Sequence, residues 1–596
     1  MNKIFLEKQI KNFRKIVCNP RVILLALVLF GFSLRTYNYL WDSGAHNHPD
    51  ERYMDMVMNA IKMPESVNDY FNPETSKFSP YNVDYKGYVY GTVPLHIVKI
   101  ASVITQNDRY GDSLVVGRLL SAFFDTLTIM VVFLISGLIT KSFKLRLFAT
   151  SLYIFCVLAV QMSHFFTVES FLNFFVTITL FLLGLFITNP RKQTPLMIVL
   201  ISLFISLAVG TKITGIVLIP LSIVVIIFRQ LTVSKKKYFI LHIAYILFQI
   251  VFFILCAYLF LRVVYPYLFA NGNILNFEIN KSFLDTMDFQ SKAQAGEIMF
   301  PPQWQWVNTI PYLFPLKNIV LWELGIGPSL IAILGLFTYG IFIIKGIFKE
   351  KLKFIVRNIL GSPLFIYVGF AVSYFAYFGG KFVKAGRYFS PIFISLILIG
   401  LWFITRIKRP ILKKLIITLV LIIQILWGLA YISIYSKDNT RVTASKWIHQ
   451  NIPANSQLAV EHWDDGLPMD LNSGINYQYN EIKVYDTDDE NKIIAMYEPF
   501  KQSEYIILSS ARAKGTIGNL PETYPIMYNY YKKLDSGELG VKLIYKGFSY
   551  PTLLGVQIND ESAEEPFWIY DHSTVWIYKK YIDLSYEQFE KELLYK

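Results

Sequence analysis

"VILLALVLFGFSLRTYNYLWDSGAHNHPDERYMD", residues 22–55, passes from an apolar run into a cluster of ionisable groups. A helix that spans a bilayer needs ~20 predominantly apolar residues, and 22–40 meets that requirement. Working outward, comparable runs occur near 113–140, 145–163, 168–188, 195–211, 212–229, 238–264, 326–346, 363–379, 388–405 and 412–435. The pattern predicts a polytopic α-helical membrane protein with about eleven transmembrane helices, the division around Gly210 being the least distinct. Composition agrees. Of the 596 residues, 54% are hydrophobic and 17% charged, against about a quarter charged in ordinary soluble domains. The first run is long and lacks a small-residue cleavage site, so it is expected to remain as an anchor.

The formal charge of +14 could suggest nucleic acid, but the basic residues gather between apolar runs, which argues against it. They fit cytoplasmic connections. With the N-terminal Lys3, Lys8, Lys11, Arg14 and Lys15 inside, every second connection is basic. These connections hold Lys141, Lys144 and Arg146; Arg191 and Lys192; Arg229 and Lys235 to Lys237; Lys345 to Arg357; and Arg406 to Lys414. The opposite side then receives a first loop at 41–112, a long loop at 265–325 and everything after residue 436. Cys18, Cys156 and Cys256 lie in or beside apolar runs and form no disulfide framework or metal-type spacing.

Residues 1–436 therefore read as a membrane domain and 437–596 as a second, extracytoplasmic one. The tail carries charges of both signs and short β-type runs, "QLAVEH", "EYIILSS", "VKLIYKG" and "TVWIYKK". Amphipathic stretches alternate with them: "TASKWIHQNIP", "YPIMYNYYKKL" and "YEQFEKELL". That alternation predicts a small α/β domain.

The segment "HNHPDERYMD" (46–55) places Pro49 where it suits the first turn of a helix, so Asp50 and Glu51 fall where the helix dipole favours their ionised forms. Helix-start chemistry alone would explain them. Their position just outside the first span, near the membrane-embedded Arg35, favours a catalytic or binding role. His46 and His48 with Asp50 match no specific metal pattern, which leaves room for a divalent metal without requiring one. On the same side, "QMSHFFTVESFLNFF" places His164 and Glu169 around a turn, and "AVGTKITG" places Lys212 at the outer boundary. Snorkelling to the interface would also account for Lys212. "GGKFVKAGRYFSP" packs Lys381, Lys384 and Arg387 into an external loop against the charge rule, as an anionic ligand such as a lipid phosphate would require.

"HPDE" after the first span resembles the first external loop of GT-C class glycosyltransferases. The likeness is to family 39, with its protein O-mannosyltransferases and bacterial aminoarabinose transferases. The resemblance extends through "GRLLSAFFDTLT" (117–128), "SHFFTVESFLNFF" (163–175), "GTKITG" (210–215), "PPQWQWVNTIPY" (301–312) and "GRYFSPIF" (386–393). The tail, with "ASKWIHQNIP", "EHWDDGLP" and "YDHSTVWIY", resembles bacterial members carrying an external C-terminal domain.

The resemblance implies transfer of a sugar from a polyprenyl-phosphate carrier to a glycan, lipid or protein acceptor on the outer face of the membrane. It assigns Asp50 as catalytic base with Glu51 in support. It assigns Glu169 as the second-loop carboxylate, where relatives usually have Asp, and His164 to a position where many have Arg. His48, His164, Glu169, Lys212, Lys384 and Arg387 are expected to bind substrate, with Lys384 and Arg387 clamping the carrier phosphate and Lys212 as a further cation. A transporter or lipid flippase is the main rival, but such proteins concentrate charge near the bilayer midplane, whereas here it gathers at outer ends and loops. A non-catalytic scaffold is a third reading, disfavoured by the adjacent Asp50 and Glu51. The charge pattern predicts that a cysteine probe at Ser503 is labelled from outside intact cells and one at Ser234 only after permeabilisation. Reversed labelling would overturn the orientation.

Overall fold

The computed structural model describes residues 19–189, 194–233, 239–354, 359 and 361–594. The basic residues before Asn19, Arg191, Lys192, Lys235 to Lys237, Arg357 and the probe position Ser234 lie outside the described residues.

Helix α1 (Pro20–Arg35) starts where Asn19 Oδ1 accepts the Arg21 N–H at 3.0 Å and proline occupies the first position. After it come α2 (Pro49–Ala60), α3 (Val93–Ile104) and α4 (Asp112–Ser136). The middle of the chain forms α5 (Phe143–Ile154), α6 (Val157–Ser163), α7 (Glu169–Thr188), α8 (Thr194–Val209), α9 (Leu218–Val233) and α10 (Phe239–Val264). The long loop carries α11 (Lys281–Ala295), followed by α12 (Ile326–Phe354), α13 (Pro363–Gly379), α14 (Phe393–Arg406) and α15 (Pro410–Ile432).

Among the described residues, six helices are long and apolar enough to cross a membrane. The pair α5 and α6, bent by 56°, makes a seventh if taken as one span. Helices also occupy the other expected stretches, but α1, α8, α13 and α14, with 16, 16, 17 and 14 residues, fall short of ~20. Polar anchoring explains one early stop: α1 ends at Arg35, whose guanidinium turns inward to pair with Asp125 of α4. The division at Gly210 is a break between α8 and α9. The first loop is sewn to it by Gly91 N–H to Thr211 O at 3.0 Å and Val93 N–H to Gly210 O at 2.9 Å. A Cβ on Gly91 would lie 2.0 Å from Gly210 O, so only glycine permits this approach.

The tail begins with α16 (Thr440–Asn451) and forms a five-stranded mixed sheet. Its strands are β1 (Gln457–Glu461), β2 (Gln478–Ile482), β3 (Tyr505–Leu508), β4 (Val541–Gly547) and β5 (Val575–Lys580), in the order β2-β1-β3-β5-β4. β1 runs parallel to β2 and β3, and β5 antiparallel to β3 and β4. The four expected β runs correspond to β1, β3, β4 and β5. The edge strand β2 has a largely exposed sequence without an apolar face, so no alternation marks it.

Ser503 is wholly buried, its hydroxyl donating to Pro499 O at 2.7 Å, so an external probe there would report unfolding rather than sidedness. Ser536 in the tail and Ser142 beside Lys141 are exposed. In a cysteine-free background, Ser536→Cys is expected to react with an impermeant maleimide on intact cells and Ser142→Cys only after permeabilisation; the opposite result would reverse the orientation.

Candidate active site

Helix α2 positions the acid pair. His48 caps it, its Nδ1 accepting the Asp50 N–H at 3.2 Å, and Pro49 opens the first turn. Successive residues on a helix point about 100° apart, and Asp50 and Glu51 take different partners.

Asp50 faces outward and pairs with Arg387 from the turn Gly386–Tyr388. Burial works against the charge on Asp50, but the Arg387 guanidinium, helped by a hydrogen bond from Tyr90, holds its carboxyl well below the usual carboxylate range. Burial also opposes the charge on Arg387, which Asp50 secures by raising its pKa further. Glu169, at the start of α7, accepts from Lys212 Nζ at 3.0 Å, and Lys212 sits 4.6 Å from the Tyr388 ring centre. The charges of Glu169 and Arg387 also interact. Asp50, Glu169, Lys212 and Arg387 thus converge from four separate stretches of chain.

Glu51 is wholly buried on the other side. Its two oxygens accept from Arg118 at 2.8 and 2.7 Å, and Oε1 also takes the Phe166 N–H at 2.6 Å. It has no free edge for a substrate, which corrects its expected catalytic support to one of holding α2 in place. His48 is buried, and burial pushes its ring down to about 4; it serves as the neutral cap behind Asp50 rather than as a substrate contact. His164 stacks on Tyr435 with ring centres 3.8 Å apart and both ring nitrogens against backbone carbonyls, so the expected binding role is replaced by packing. Lys384 also departs from expectation. Its Nζ donates to Thr309 Oγ1 at 3.1 Å and to Phe382 O at 2.9 Å. Side chains alternate along an extended segment. Val383 and Ala385 pack with Trp306, and Lys384 between them points away from Asp50.

The Asp50–Arg387 pair lines a cavity of about 490 Å³ between the membrane domain and the tail. Sequence reasoning missed much of its wall. Arg52 forks onto Asp465, Arg441 donates to Asp464 at 3.0 Å, and Arg512 donates to Glu565 at 2.8 Å. Trp463 and Tyr570 complete the tail side. The stretch "EHWDDGLP" had singled out Trp463, Asp464 and Asp465, whereas nothing local marks Arg441 or Arg512. Among the described residues, no three His, Cys, Asp or Glu side chains converge as a metal site. His46 bonds Asp55 at 2.7 Å and His48 caps α2, so the histidines of "HNHPDE" do not join Asp50 around an ion.

The sequence profile of the dolichyl-phosphate-mannose-protein mannosyltransferase family matches residues 68–268. The chain resembles the GT-C class of membrane glycosyltransferases. The matched segment contains Glu169 and Lys212; Asp50 and Arg387 lie outside it. No curated protein matches the sequence significantly. The oligosaccharyltransferase of Archaeoglobus fulgidus, tethered to an acceptor peptide, has a TM-score of 0.50 at 11% identity, with 95% of this chain and 89% of that one covered. AglB from the same organism, in complex with an inhibitory peptide and a dolichol-phosphate, gives 0.49 at 10% identity over 90% and 75% of the two chains. ArnT from Cupriavidus metallidurans, bound to undecaprenyl phosphate, gives 0.42 at 12% identity over 93% and 97%. At 11% identity the likeness to the first of these is one of fold.

Removing one member of a buried charge network leaves its partner uncompensated, at a cost of about 3–5 kcal/mol. Glu51→Ala is therefore expected to lower the melting temperature of the purified protein sharply. A melting temperature equal to that of wild type would show that Glu51 does not hold α2 in place.

Proposed function

We propose that the protein transfers a sugar from a polyprenyl-phosphate carrier to an acceptor hydroxyl at the outer face of the membrane. The observation that carries this reading is the Asp50–Arg387 ion pair at the edge of the cavity closed by the tail. The family match, whose description includes a dolichyl-phosphate-linked sugar, supports the donor class.

Before substrate arrives, Arg387 makes Asp50 a weak base by stabilising its charge. A carrier phosphate attracts the same guanidinium. As Arg387 turns to the phosphate oxygens, Asp50 loses its counter-charge, its proton affinity rises, and it becomes able to accept the acceptor's proton. The acceptor oxygen bonds to the anomeric carbon as the bond from that carbon to the phosphate oxygen breaks. The proton passes to Asp50, and the negative charge left on the carrier phosphate is stabilised by Arg387 and Lys212. Glu169 holds Lys212 in position. The prenyl chain lies in an apolar groove of about 440 Å³ whose lining includes Ile213, the residue after Lys212, with Ile216, Leu261 and Phe277.

The orientation follows from the charge pattern: N-terminus cytoplasmic, membrane domain to residue 436, and the 437–596 domain extracytoplasmic over the site. The shorter apolar helices complete the set of about eleven crossings, the bent α5–α6 pair counting as one.

Two variants test the chemistry with a radiolabelled polyprenyl-phosphate sugar. Asp50→Asn keeps the side-chain shape but removes the base, so transfer is expected to fall by at least ~10²-fold with donor binding retained. Arg387→Ala is expected to raise the donor KM without loss of folding. Near-normal transfer by Asp50→Asn would end the catalytic assignment, and an unchanged donor KM in Arg387→Ala would move the phosphate site elsewhere.

A further inference from the structure

At Gly386, the residue before Arg387, two buried carboxyl groups face the same glycine. Glu323 ends the turn Ile319–Glu323 that leads into α12, and its side chain is wholly buried with neither carboxyl oxygen hydrogen-bonded. Glu564 comes from the tail and is also buried; both of its oxygens take the Gly386 N–H, each at 2.8 Å. A Cβ on Gly386 would meet Glu323 Oε1 at 1.8 Å and Glu564 Oε1 at 2.9 Å, so the two carboxyls crowd one point. The Glu564 N–H donates to Asn318 Oδ1 at 2.9 Å, and the next residue, Glu565, donates its N–H to Gln305 Oε1 at 2.9 Å. The tail thereby grips the long loop and the Arg387 turn together.

Two carboxylates confined in one dry site cannot both be charged without a large cost. Glu564 takes the Gly386 N–H with both oxygens, which favours ionisation at this member of the pair. Glu323 has no donor directed at it, which suits a neutral acid. We propose that Glu323 retains a proton against Glu564 and that the two are positioning residues for Arg387. With that proton in place the tail holds Gly386, and with it the guanidinium, against Asp50; its loss sets two buried charges against each other and loosens the turn.

The surroundings agree with that assignment. Burial, and then the Glu564 charge, push Glu323 well above the usual carboxylate range. Burial raises Glu564 as well, to about 8, while the Gly386 N–H and the Arg387 charge draw it back down, so it is the member that ionises first; Glu565 beside it is neutralised by Arg512. Cys156 donates to the Glu323 backbone carbonyl at 3.5 Å. No cation is placed to compensate Glu323 among the described residues. The sign follows: a carboxyl whose folded pKa is raised binds more protons folded than unfolded, so this clasp weakens as pH rises.

The kinetic test rests on the glycosyl-transfer reading; a hydrogen-exchange test does not. In wild type, donor KM is expected to climb on the alkaline side, with transfer at low donor falling about tenfold per pH unit beyond the break, as for one lost proton. Glu323→Gln fixes the neutral form, so it should match wild type near neutrality and lose that alkaline limb. Glu323→Asp, which can still ionise, should restore it. Independently, exchange of the Gly386 amide in the intact protein should quicken on the alkaline side in wild type and stay pH-independent, beyond the intrinsic chemical rate, in Glu323→Gln. An unaltered alkaline limb in Glu323→Gln, or Gly386 exchange that responds to pH alike in both proteins, would overturn the proposal. Should Glu323→Gln fail to fold, the wild-type exchange profile decides alone: no alkaline loosening at Gly386 would overturn it. Absence of any transfer in wild type would count against the enzymatic reading and leave the exchange test standing.

Discussion

The guanidinium of Arg118 is the interaction on which the site depends. It projects from α4 into a dry space and uses all five of its N–H donors. Two go to Glu51, at 2.8 and 2.7 Å, two to Asp42, at 2.8 and 2.7 Å, and one shares its nitrogen with Tyr39 O at 2.7 Å. The Trp41 ring lies 5.0 Å from its centre. An arginine that far from water is tolerable only when it is fully paired. The geometry that satisfies it draws together the end of α1, the first loop and the start of α2. Asp50 is one residue from Glu51, so the same network that holds one carboxylate fixed sets the direction in which the other points.

A second buried network seats the tail. Asp571 Oδ2 accepts from Gln161, Tyr431 and Tyr435 at 2.9, 2.8 and 3.1 Å, and its backbone carbonyl accepts from Trp41 Nε1 at 3.2 Å. His572 lies between Asp571 and Asp560, at 2.6 and 2.9 Å. Burial disfavours its charge, but the two carboxylates overcome that and raise it to about 10, so it is a cation at neutral pH. Trp41 touches both networks, packing on Arg118 with its face and donating to Asp571 with its edge. Membrane domain and tail are thus joined through polar contacts that water cannot easily replace, and the cavity above Asp50 has walls from both.

The membrane character was legible in the apolar runs because a bilayer demands contiguous hydrophobic length, and four of the five strands of the larger tail sheet were legible as short apolar runs. β2 was not, because "QYNEI" is an edge strand whose side chains mostly face water. Length was less legible than position: Arg35 could be seen to lie in the membrane, but not that pairing with Asp125 would end α1 there. Within the candidate site, Asp50, Glu169, Lys212 and Arg387 stood out as charges at the ends of apolar runs. Glu51, His164 and Lys384 stood out for the same reason and take other roles.

What the sequence determined by itself was local: apolar length, charge sidedness, a helix start at Pro49, and a loop whose cations oppose the topology rule. Those signals are carried by neighbouring residues and survive without knowledge of the fold. The choice among the charges belonged to tertiary structure. Glu51 is one helix step from Asp50, yet it faces Arg118, a partner 67 positions away in the chain. Lys384 is three residues from Arg387 but is turned towards Thr309 by the packing of its neighbours on Trp306. Glu323 and Glu564, separated by 241 positions in the numbering, meet over Gly386 only because the tail folds back onto the membrane domain. An ionisable side chain gains its chemistry from what surrounds it once water is excluded, and only the folded chain supplies those surroundings.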